Sequence, residues 1–218
     1  KAVVFHKIKV SKYQAISNLF GSIDRSRLIF NGRLDDIKAL INLRNDPLYF
    51  FKRPFYCTKL IFKSLTSIPK KVSFPKDFRE ISISDLPQIK CWPNDGGAFI
   101  TLPQVYSEDI DNPGIMNSNL GMYRIQLSGN DYNINKEVGL HYQLHRGIGI
   151  HQEKAHKKGE RLKVSVFIGG HPAHSFAAVM PLPEGMTELT FAGLLSGRRF
   201  RYAIKDGYKI SVDADFVI

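Results

Sequence analysis

Hydrophobic and polar residues alternate over the first ten positions of the chain, where Val4, Ile8 and Val10 lie an even number of positions apart. Alternation of this kind predicts a β-strand with one buried face. A turn is expected at residues 18–22, Asn-Leu-Phe-Gly-Ser, and helical spacing then runs from about residue 23 to residue 43. The pattern therefore predicts an α/β segment at the start of the chain.

Five prolines interrupt residues 47–90, at positions 47, 54, 69, 75 and 87. Because proline disrupts helices and central strands, we expect only short elements there and place no chemistry in this stretch. In this interpretation residues 1–90 form part of an N-terminal α/β region with a connector. A second domain then occupies residues 91–218.

Short β-rich runs separated by glycine and proline turns make up most of the chain after residue 91. These runs lie at residues 98–103, 121–127, 138–144, 162–168 and 202–217. Two helices are predicted among them, one beginning at Pro172 and one from about Thr187 to Leu195. The pattern favours an α+β, mainly β fold whose strands close into a barrel with helices outside.

Composition and cysteine content narrow the class of protein. The 218 residues are 43% hydrophobic and 23% charged, which is typical of a folded domain with one sizeable core. The sequence has no run of 18 apolar residues and no signal-peptide cleavage site, and its two cysteines are Cys57 and Cys91. We therefore expect a cytoplasmic protein without a disulfide framework. The chain starts without Met and ends within a predicted strand, so we expect it to be a piece of a longer protein.

The chain is basic, with 31 Lys and Arg against 20 Asp and Glu and a formal net charge of +11. Such an excess attracts nucleic acid, anionic membranes or phosphorylated ligands without choosing among them. The basic residues are scattered, and no RNA-binding aromatic motif accompanies them. We interpret the excess as a solvated basic surface and expect no nucleic-acid partner.

Two short motifs suggest anion binding. Residues 119–124, Asn-Leu-Gly-Met-Tyr-Arg, form a turn that leads into a strand presenting Arg124, whose guanidinium can hold a carboxylate or phosphate at two points. Residues 169–173, Gly-Gly-His-Pro-Ala, place a glycine turn before a helix, where free backbone N–H groups can hold a phosphate. A surface arginine and an ordinary tight connection remain the alternatives.

Acidic and histidine side chains suggest metal binding. Glu188 starts an apolar helix, where it either favours the helix N-terminus or acts as an oxygen ligand for Mg²⁺ or Mn²⁺. Six histidines fall between residues 141 and 174, and His141 and His145 are four apart, as in helical zinc pairs. However, Glu does not follow His141, and residues 140–144 are typical of a strand, so a zinc hydrolase is the less favoured alternative.

Taken in order, these segments resemble the UbiD family of decarboxylases. The residues that carry the resemblance are 91–97 (Cys-Trp-Pro-Asn-Asp-Gly-Gly), 119–124, 145–147 (His-Arg-Gly), 169–173 and 181–193, and it extends over essentially the whole chain. The resemblance implies a split β-barrel that binds prenylated FMN, with the phosphate bridged to Mn²⁺ or Mg²⁺ and often a nearby K⁺. It also implies that this chain is the N-terminal and central part of the family's sequence, without the C-terminal region.

The resemblance also assigns site residues. It implies that Arg124 is catalytic and orients the substrate carboxylate, and that Asn119 and Glu188 bind the metal. Some members of the family add a metal-binding histidine, and His145 is the residue that best fits its place. The residues that it implies for cofactor binding are Met122, Tyr123, Arg124, His141, Tyr142, Gln143, Arg146, Gly147, Met180 and Pro181.

The activity implied by the resemblance is non-oxidative decarboxylation of an aromatic or α,β-unsaturated acid, by default 4-hydroxy-3-polyprenylbenzoate in quinone biosynthesis. The proton-donating carboxylate is expected after residue 218. We expect a homo-oligomer and a flavin prenyltransferase that supplies the cofactor, and peripheral contact with the inner membrane is an open alternative to a purely cytoplasmic location. A split-barrel flavin reductase using a nicotinamide donor, or a basic module for nucleic acid or membranes, remains the rival class, and a cofactor spectrum or salt dependence would distinguish them.

Overall fold

A computed structural model describes residues 1–8, 11–182 and 186–218. The chain begins with an antiparallel hairpin of β1 (Val3–Phe5) and β2 (Ala15–Ser17). The first strand is therefore shorter than the alternation predicted, and Val10 lies outside the described residues. The predicted helix at residues 23–43 is two helices, α1 (Ile23–Ile29) and α2 (Arg33–Asn45). They are separated at Gly32, whose φ of 71° is one that residues with side chains rarely adopt.

The connector is more helical than the prolines suggested. It contains α3 (Tyr49–Lys52), α4 (Pro54–Ser64), 3₁₀ turns at Leu65–Ser67 and Ile83–Asp85, and the short strand β3 (Lys70–Lys71). Pro54 stands at the first position of the eleven-residue α4, where the missing N–H has no helical partner to lose. The expectation of short elements alone was therefore wrong for α4.

The remaining strands form open sheets. They are β4 (Phe99–Ile100), β5 (Gln104–Glu108), β6 (Ser118–Gly121), β7 (Arg124–Gln126), β8 (Gly139–His141), β9 (Val164–Ile168), β10 (Arg201–Lys205), β11 (Tyr208–Ser211) and β12 (Phe216–Val217). Three of the sheets have the strand orders β12-β9-β5-β6, β4-β7-β8 and β11-β10-β3. Among the described residues no sheet closes on itself, so the closed barrel is not confirmed and the fold is mixed α/β. In the same ranges more residues are helical than extended, which corrects the expectation of a mainly β protein.

Two predicted strands differ from the structure in ways that matter for the site. The run at residues 121–127 is interrupted at Met122 and Tyr123, so that β6 and β7 belong to different sheets. The run at residues 98–103 contains only the two-residue β4, and the longer strand β5 begins immediately after Pro103. Pro103 therefore precedes a strand instead of ending one, because its missing N–H falls outside the ladder of β5.

Helices α6 (Pro172–Ala177) and α7 (Glu188–Ser196) confirm the two helices predicted after residue 91. Thr187 caps α7 because its hydroxyl oxygen accepts a hydrogen bond from the backbone N–H of Thr190 at 3.2 Å. A third helix, α5 (Gly147–Lys157), was not predicted. It buries Ile148, His151 and Ala155, which lie three and four positions apart.

Three apolar clusters hold these elements together. The first joins β5, β6 and β9 to α7 through residues such as Tyr106, Leu120 and Phe167. The second lies around Val105, Ile125 and Ile148, and the third packs α2, α6 and α7 around Phe30. Within the described part of the chain, no helix combines the length and apolar character needed to cross a bilayer. Packing in these clusters positions β6, β7 and the starts of α5 and α7 so that they surround one cleft.

Candidate functional site

A cleft of about 570 Å³ opens between four separate parts of the chain. Its walls are the end of β6 with the start of β7, the end of β8 with the start of α5, the segment after α6, and the start of α7. The residues that line it are Asn119, Leu120, Gly121, Met122, Tyr123, Arg124, His141, Tyr142, Gln143, Arg146, Gly147, Ala178, Val179, Met180, Pro181, Leu182 and Glu188. The volume lies within the range of about 300–1,000 Å³ that is usual for small-molecule sites.

The interruption between β6 and β7 shapes one wall of the cleft. The backbone N–H of Met122 donates to the carbonyl of Ala178 at 3.0 Å, which ties this turn to the end of α6. Ile125 is fully buried on the core side of β7, so Arg124 projects on the opposite side. The turn thus brings Tyr123 and Arg124 to the cleft from the same strip of backbone.

The start of α5 lies very close to the metal-ligand candidate Asn119. A Cβ atom on Gly147 would stand 2.2 Å from Asn119 Oδ1, so a side chain there would require the amide to move. The amide Nδ2 of Asn119 donates to the hydroxyl of Tyr123 at 3.3 Å. No side chain caps α5, so its first backbone N–H groups lack a capping acceptor among the described residues.

Glu188 brings a buried carboxylate to the same wall. Its Oε2 accepts a hydrogen bond from the backbone N–H of Leu120 at 3.1 Å. Burial raises the pKa of Glu188, and hydrogen bonds from backbone N–H groups only partly oppose this shift. Asn119 and Glu188 also line a smaller adjoining cavity of about 300 Å³. The amide oxygen of Asn119 and the carboxylate of Glu188 are therefore available on one wall as ligands for a cation, which would stabilise the ionised carboxylate.

Two arginines supply positive charge to the cleft. Arg124 is exposed and its guanidinium carbon lies 4.7 Å from the centroid of the Phe99 ring. The Nε of Arg146 donates to Gln143 Oε1 at 3.4 Å. Neither arginine forms an ion pair with any residue in the described ranges. A ligand carrying a carboxylate or phosphate would find this charge unneutralised.

The structure brings the residues named from the sequence into this one cleft, with the exception of His145. Asn119, Met122, Tyr123, Arg124, His141, Tyr142, Gln143, Arg146, Gly147, Met180, Pro181 and Glu188 all line it. His145 is exposed in the turn before α5 and does not line the cleft. The roles of these residues, including metal binding by His145, remain predictions.

The glycine motif at residues 169–173 lies outside the cleft. The backbone N–H of Gly170 donates to Asp215 Oδ2 at 3.0 Å, and a Cβ on Gly169 would stand 1.8 Å from the same oxygen. A carboxylate of the chain itself therefore occupies the place that the sequence suggested for a phosphate. The geometry favours the alternative of a tight connection between β9 and α6.

The histidines do not form the ligand set of a zinc site. His141 ends β8, His151 and His156 lie on α5, and His174 is buried in α6 against Phe200. In residues 1–8, 11–182 and 186–218, no three His, Cys, Asp or Glu side chains come together as a metal site. The zinc hydrolase alternative thus has no supporting geometry.

Several lining residues could not be named from the sequence. They are Leu120, Gly121, Ala178, Val179 and Leu182. They lie within two positions of a named residue, but apolar residues in short segments carry no chemical signal of their own. Their contribution becomes visible only because the backbone places residues 178–182 opposite the turn after β6.

The cleft combines two side-chain oxygens with two arginines that have no acidic partner among the residues the structure describes. Comparison with known proteins identifies the family. The model of the UbiD 3-octaprenyl-4-hydroxybenzoate carboxy-lyase Rift-related domain matches residues 66–218, well over half of the sequence. The chain therefore belongs to the UbiD family.

Curated relatives and solved structures agree with this assignment. Over 226 aligned residues the chain is 33% identical to a 4-hydroxybenzoate decarboxylase component of Chlamydia pneumoniae, covering 100% of this chain and 37% of that protein. It is similar to vanillic acid decarboxylase of Sedimentibacter hydroxybenzoicus in its closed form, with a TM-score of 0.71, 25% identity, and coverage of 100% and 44% of the two chains. HmfF of Pelotomaculum thermopropionicum in complex with FMN shares the fold, with a TM-score of 0.72, 18% identity and coverage of 100% and 45%.

The chain spans about two fifths of the length of the curated relatives that it matches. An uncharacterized protein of Aquifex aeolicus, for example, is 33% identical over 206 residues, which cover 92% of this chain and 41% of that protein.

Proposed function

We propose that this chain forms the cofactor-binding core of a carboxy-lyase that uses prenylated FMN for non-oxidative decarboxylation of an aromatic or α,β-unsaturated acid. One observation carries the proposal: residues that the family resemblance assigns to the site come from four separate segments of the chain and line one cleft. Family membership adds support and favours a decarboxylase over a flavin reductase or a basic binding module. Among solved relatives, HmfF is described in complex with FMN and, in an evolved dimeric form, with prFMN.

The cleft fits a flavin mononucleotide in its chemistry. Tyr123 and Tyr142 offer aromatic faces with their ring centroids 6.3 Å apart, and Met122 and Met180 add apolar surface. Arg146 and the uncapped start of α5 suit a phosphate, because both present N–H donors without an acidic partner among the described residues. The tyrosines and methionines would contact the flavin ring, and Arg146 with the start of α5 would bind the phosphate.

The residues present also fit a divalent metal ion. Mn²⁺ and Mg²⁺ prefer oxygen ligands, and Asn119 and Glu188 supply an amide and a carboxylate oxygen on one wall. A cation would neutralise the buried Glu188, whose raised pKa reflects a poorly solvated charge. We propose that these two residues would hold the metal, which would supply positive charge close to the cofactor phosphate. A further ligand from His145, and a K⁺ ion nearby, remain predictions of the family resemblance.

In the proposed mechanism Arg124 binds the substrate carboxylate in two-point fashion and orients the bond that breaks. When bound, prenylated FMN supplies a centre that accepts the electrons released with carbon dioxide. A protonated acid must then return a proton to carbon. Glu188 is the sole carboxylate of the described residues that lines the cleft, and we assign it to the metal. From the family resemblance we propose that the proton donor belongs to a part of the full-length protein that follows residue 218.

The substrate is proposed as a hydroxylated aromatic acid. The named relatives act, by their names, on 4-hydroxybenzoate and vanillic acid, whereas the family model is named for a polyprenylated hydroxybenzoate. Turnover of 4-hydroxy-3-polyprenylbenzoate in a decarboxylation assay would test a role in quinone biosynthesis. HmfF is described in an evolved dimeric form, which supports our proposal that the enzyme is a homo-oligomer.

We propose a cytoplasmic enzyme that receives its cofactor from a flavin prenyltransferase. Peripheral membrane contact is supported by Phe51 and Phe55, which are 77% and 92% exposed and flank Lys52 and Arg53 in the sequence. Sedimentation with anionic vesicles, compared with neutral ones, tests this contact.

The experiment for the main proposal measures carbon dioxide release by the full-length protein that carries this chain. The protein is produced with and without a flavin prenyltransferase and offered 4-hydroxybenzoate, vanillate, cinnamate and 4-hydroxy-3-polyprenylbenzoate. We expect turnover of at least one acid, and only after production with the prenyltransferase. Turnover that does not depend on prenylation, or flavin-dependent oxidation of NADH without carbon dioxide release, would contradict the proposal.

A further inference from the structure

One face of the sheet β4-β7-β8 carries Arg124 together with an aromatic residue that does not line the cleft. β4 pairs antiparallel with β7, with Phe99 opposite Gln126, and β7 pairs with β8, with Arg124 opposite His141. Because Ile125 is fully buried on the other face of β7, Arg124 and Gln126 share the face toward the cleft. Phe99, opposite Gln126, is thus a diagonal cross-strand neighbour of Arg124.

Phe99 makes a direct contact with the guanidinium group. The ring centroid lies 4.7 Å from the Cζ of Arg124, which is within the range of a cation–π interaction. In the described parts of the chain, no acidic side chain pairs with this arginine. Because a cation–π contact does not use a hydrogen-bond acceptor, the guanidinium of Arg124 can still donate N–H groups to a carboxylate.

Residues 96–98 hold Phe99 in this place, although none of them lines the cleft. The N–H of Leu127 donates to the carbonyl of Ala98 at 2.7 Å, and Gln126 Nε2 donates to the carbonyls of Ser128 and Gly96. A Cβ on Gly129, whose φ is 94°, would stand 1.4 Å from the Gly96 oxygen. This close approach of two turns fixes the start of β4 against the end of β7.

We propose that Phe99 is a positioning residue that holds the guanidinium of Arg124 in the orientation that binds the substrate carboxylate. The inference rests on the proposed function, because it concerns the same arginine. An arginine with no acidic partner has many rotamers, and restraining it before binding lowers the entropy that the substrate must overcome. The backbone contacts between residues 96–98 and 126–129 explain how the position is maintained.

The test measures affinity for 4-hydroxybenzoate by titration calorimetry on the full-length, FMN-loaded protein, so that turnover is not required. We expect Phe99→Leu to weaken binding by about 2- to 30-fold, the range that corresponds to the loss of one cation–π contact. Phe99→Tyr keeps a similar ring and should bind within about twofold of the unmodified protein. Replacing Phe99 by pentafluorophenylalanine retains the shape of the ring but removes its negative face, and should weaken binding as Phe99→Leu does, even if the Leu variant is unstable.

A double-mutant comparison separates positioning from a merely structural effect. In an Arg124→Ala background, Phe99→Leu should cause no further loss, because the residue acts through the arginine. Phe74→Leu is the matched control, since Phe74 also contacts a cation, Lys205 at 5.8 Å, but lies outside the cleft. This control should leave affinity unchanged.

The outcomes separate the two proposals. If the unmodified protein does not bind the acid and Arg124→Ala changes nothing, the proposed function fails and the inference fails with it. If Arg124→Ala weakens binding but Phe99→Leu and the fluorinated variant bind normally, the inference alone is overturned. Equal losses from Phe99→Leu with and without Arg124 would also overturn it, since they would indicate a general effect on the fold.

Discussion

Replacing Glu188 by Gln should have opposite effects on the protein with and without a metal ion. The substitution removes the negative charge but keeps an oxygen that can accept the 3.1 Å hydrogen bond from Leu120. In metal-free protein the ionised Glu188 destabilises the folded state, because burial raises its pKa above the ordinary value of 4.5. An acid with a raised folded-state pKa contributes stability below its ordinary pKa and loses that contribution as pH rises through the folded value.

Metal-free protein should therefore show a pH-dependent difference. Below about pH 4 the native Glu188 is protonated and resembles Gln, so the two proteins should unfold at similar temperatures. At pH 7 the native protein has lost that contribution, and Glu188→Gln should be at least as stable. Differential scanning fluorimetry on chelator-treated samples measures both points.

With metal bound, the native protein should be more stable than Glu188→Gln. A ligand at about 100 times its Kd stabilises the folded state by about 2.7 kcal/mol. For a folded unit of about 150–250 residues, such as this chain, that free energy corresponds to a rise in melting temperature of roughly 5–11 °C. Mn²⁺ should produce such a rise in the native protein, while Glu188→Gln should lose most of it. Glu153→Gln, a change at an exposed glutamate paired with Lys157, is the control and should respond like the native protein. If Glu188→Gln retains the full Mn²⁺ shift, the metal assignment is wrong.

The other predictions concern the same cleft. Asn119→Ala should reduce both Mn²⁺ retention, measured by elemental analysis, and bound flavin, measured by absorbance, because metal and phosphate are proposed to share one site; retention of both would refute it. Arg124→Ala should lower turnover of the full-length enzyme by about 10²–10³-fold and Arg124→Lys should not restore it fully, while the exposed Arg198→Ala should leave rates unchanged. Gly147→Ala should weaken Mn²⁺ and flavin binding together, because its Cβ would stand 2.2 Å from Asn119 Oδ1, and equilibrium titration showing native affinities would contradict this steric explanation.

Helices with clear end signals could be predicted from the sequence, and one without them could not. Pro172 and Thr187 mark the starts of α6 and α7, and both predictions were confirmed. By contrast, α5 begins with Gly147 and contains Gly149, and glycine is unfavourable within helices by about 1 kcal/mol. Its buried face, Ile148, His151 and Ala155, has helical spacing, but this signal competed with the strand-like residues just before it.

The sequence could name candidate site residues but not their geometry. Arg124 and Glu188 stood out because arginine and glutamate have recognisable ligand chemistry, whereas Asn119 was named only through the family resemblance. The sequence could not show that the carbonyl of Ala178 would hold the turn at Met122, since this contact joins distant segments. Nor could it show that the N–H of Gly170 would bind Asp215, because the glycine motif is the same whether its partner is a phosphate or a carboxylate of the chain.

Binding of prenylated FMN in this cleft is the central claim. Mass spectrometry of the ligand released from the full-length protein, after production together with a flavin prenyltransferase, tests that claim directly. We predict that the native protein releases a ligand with the mass of prenylated FMN and that Asn119→Ala releases far less of it. Release of no flavin from the native protein, or of unmodified FMN alone despite an active prenyltransferase, would contradict the claim.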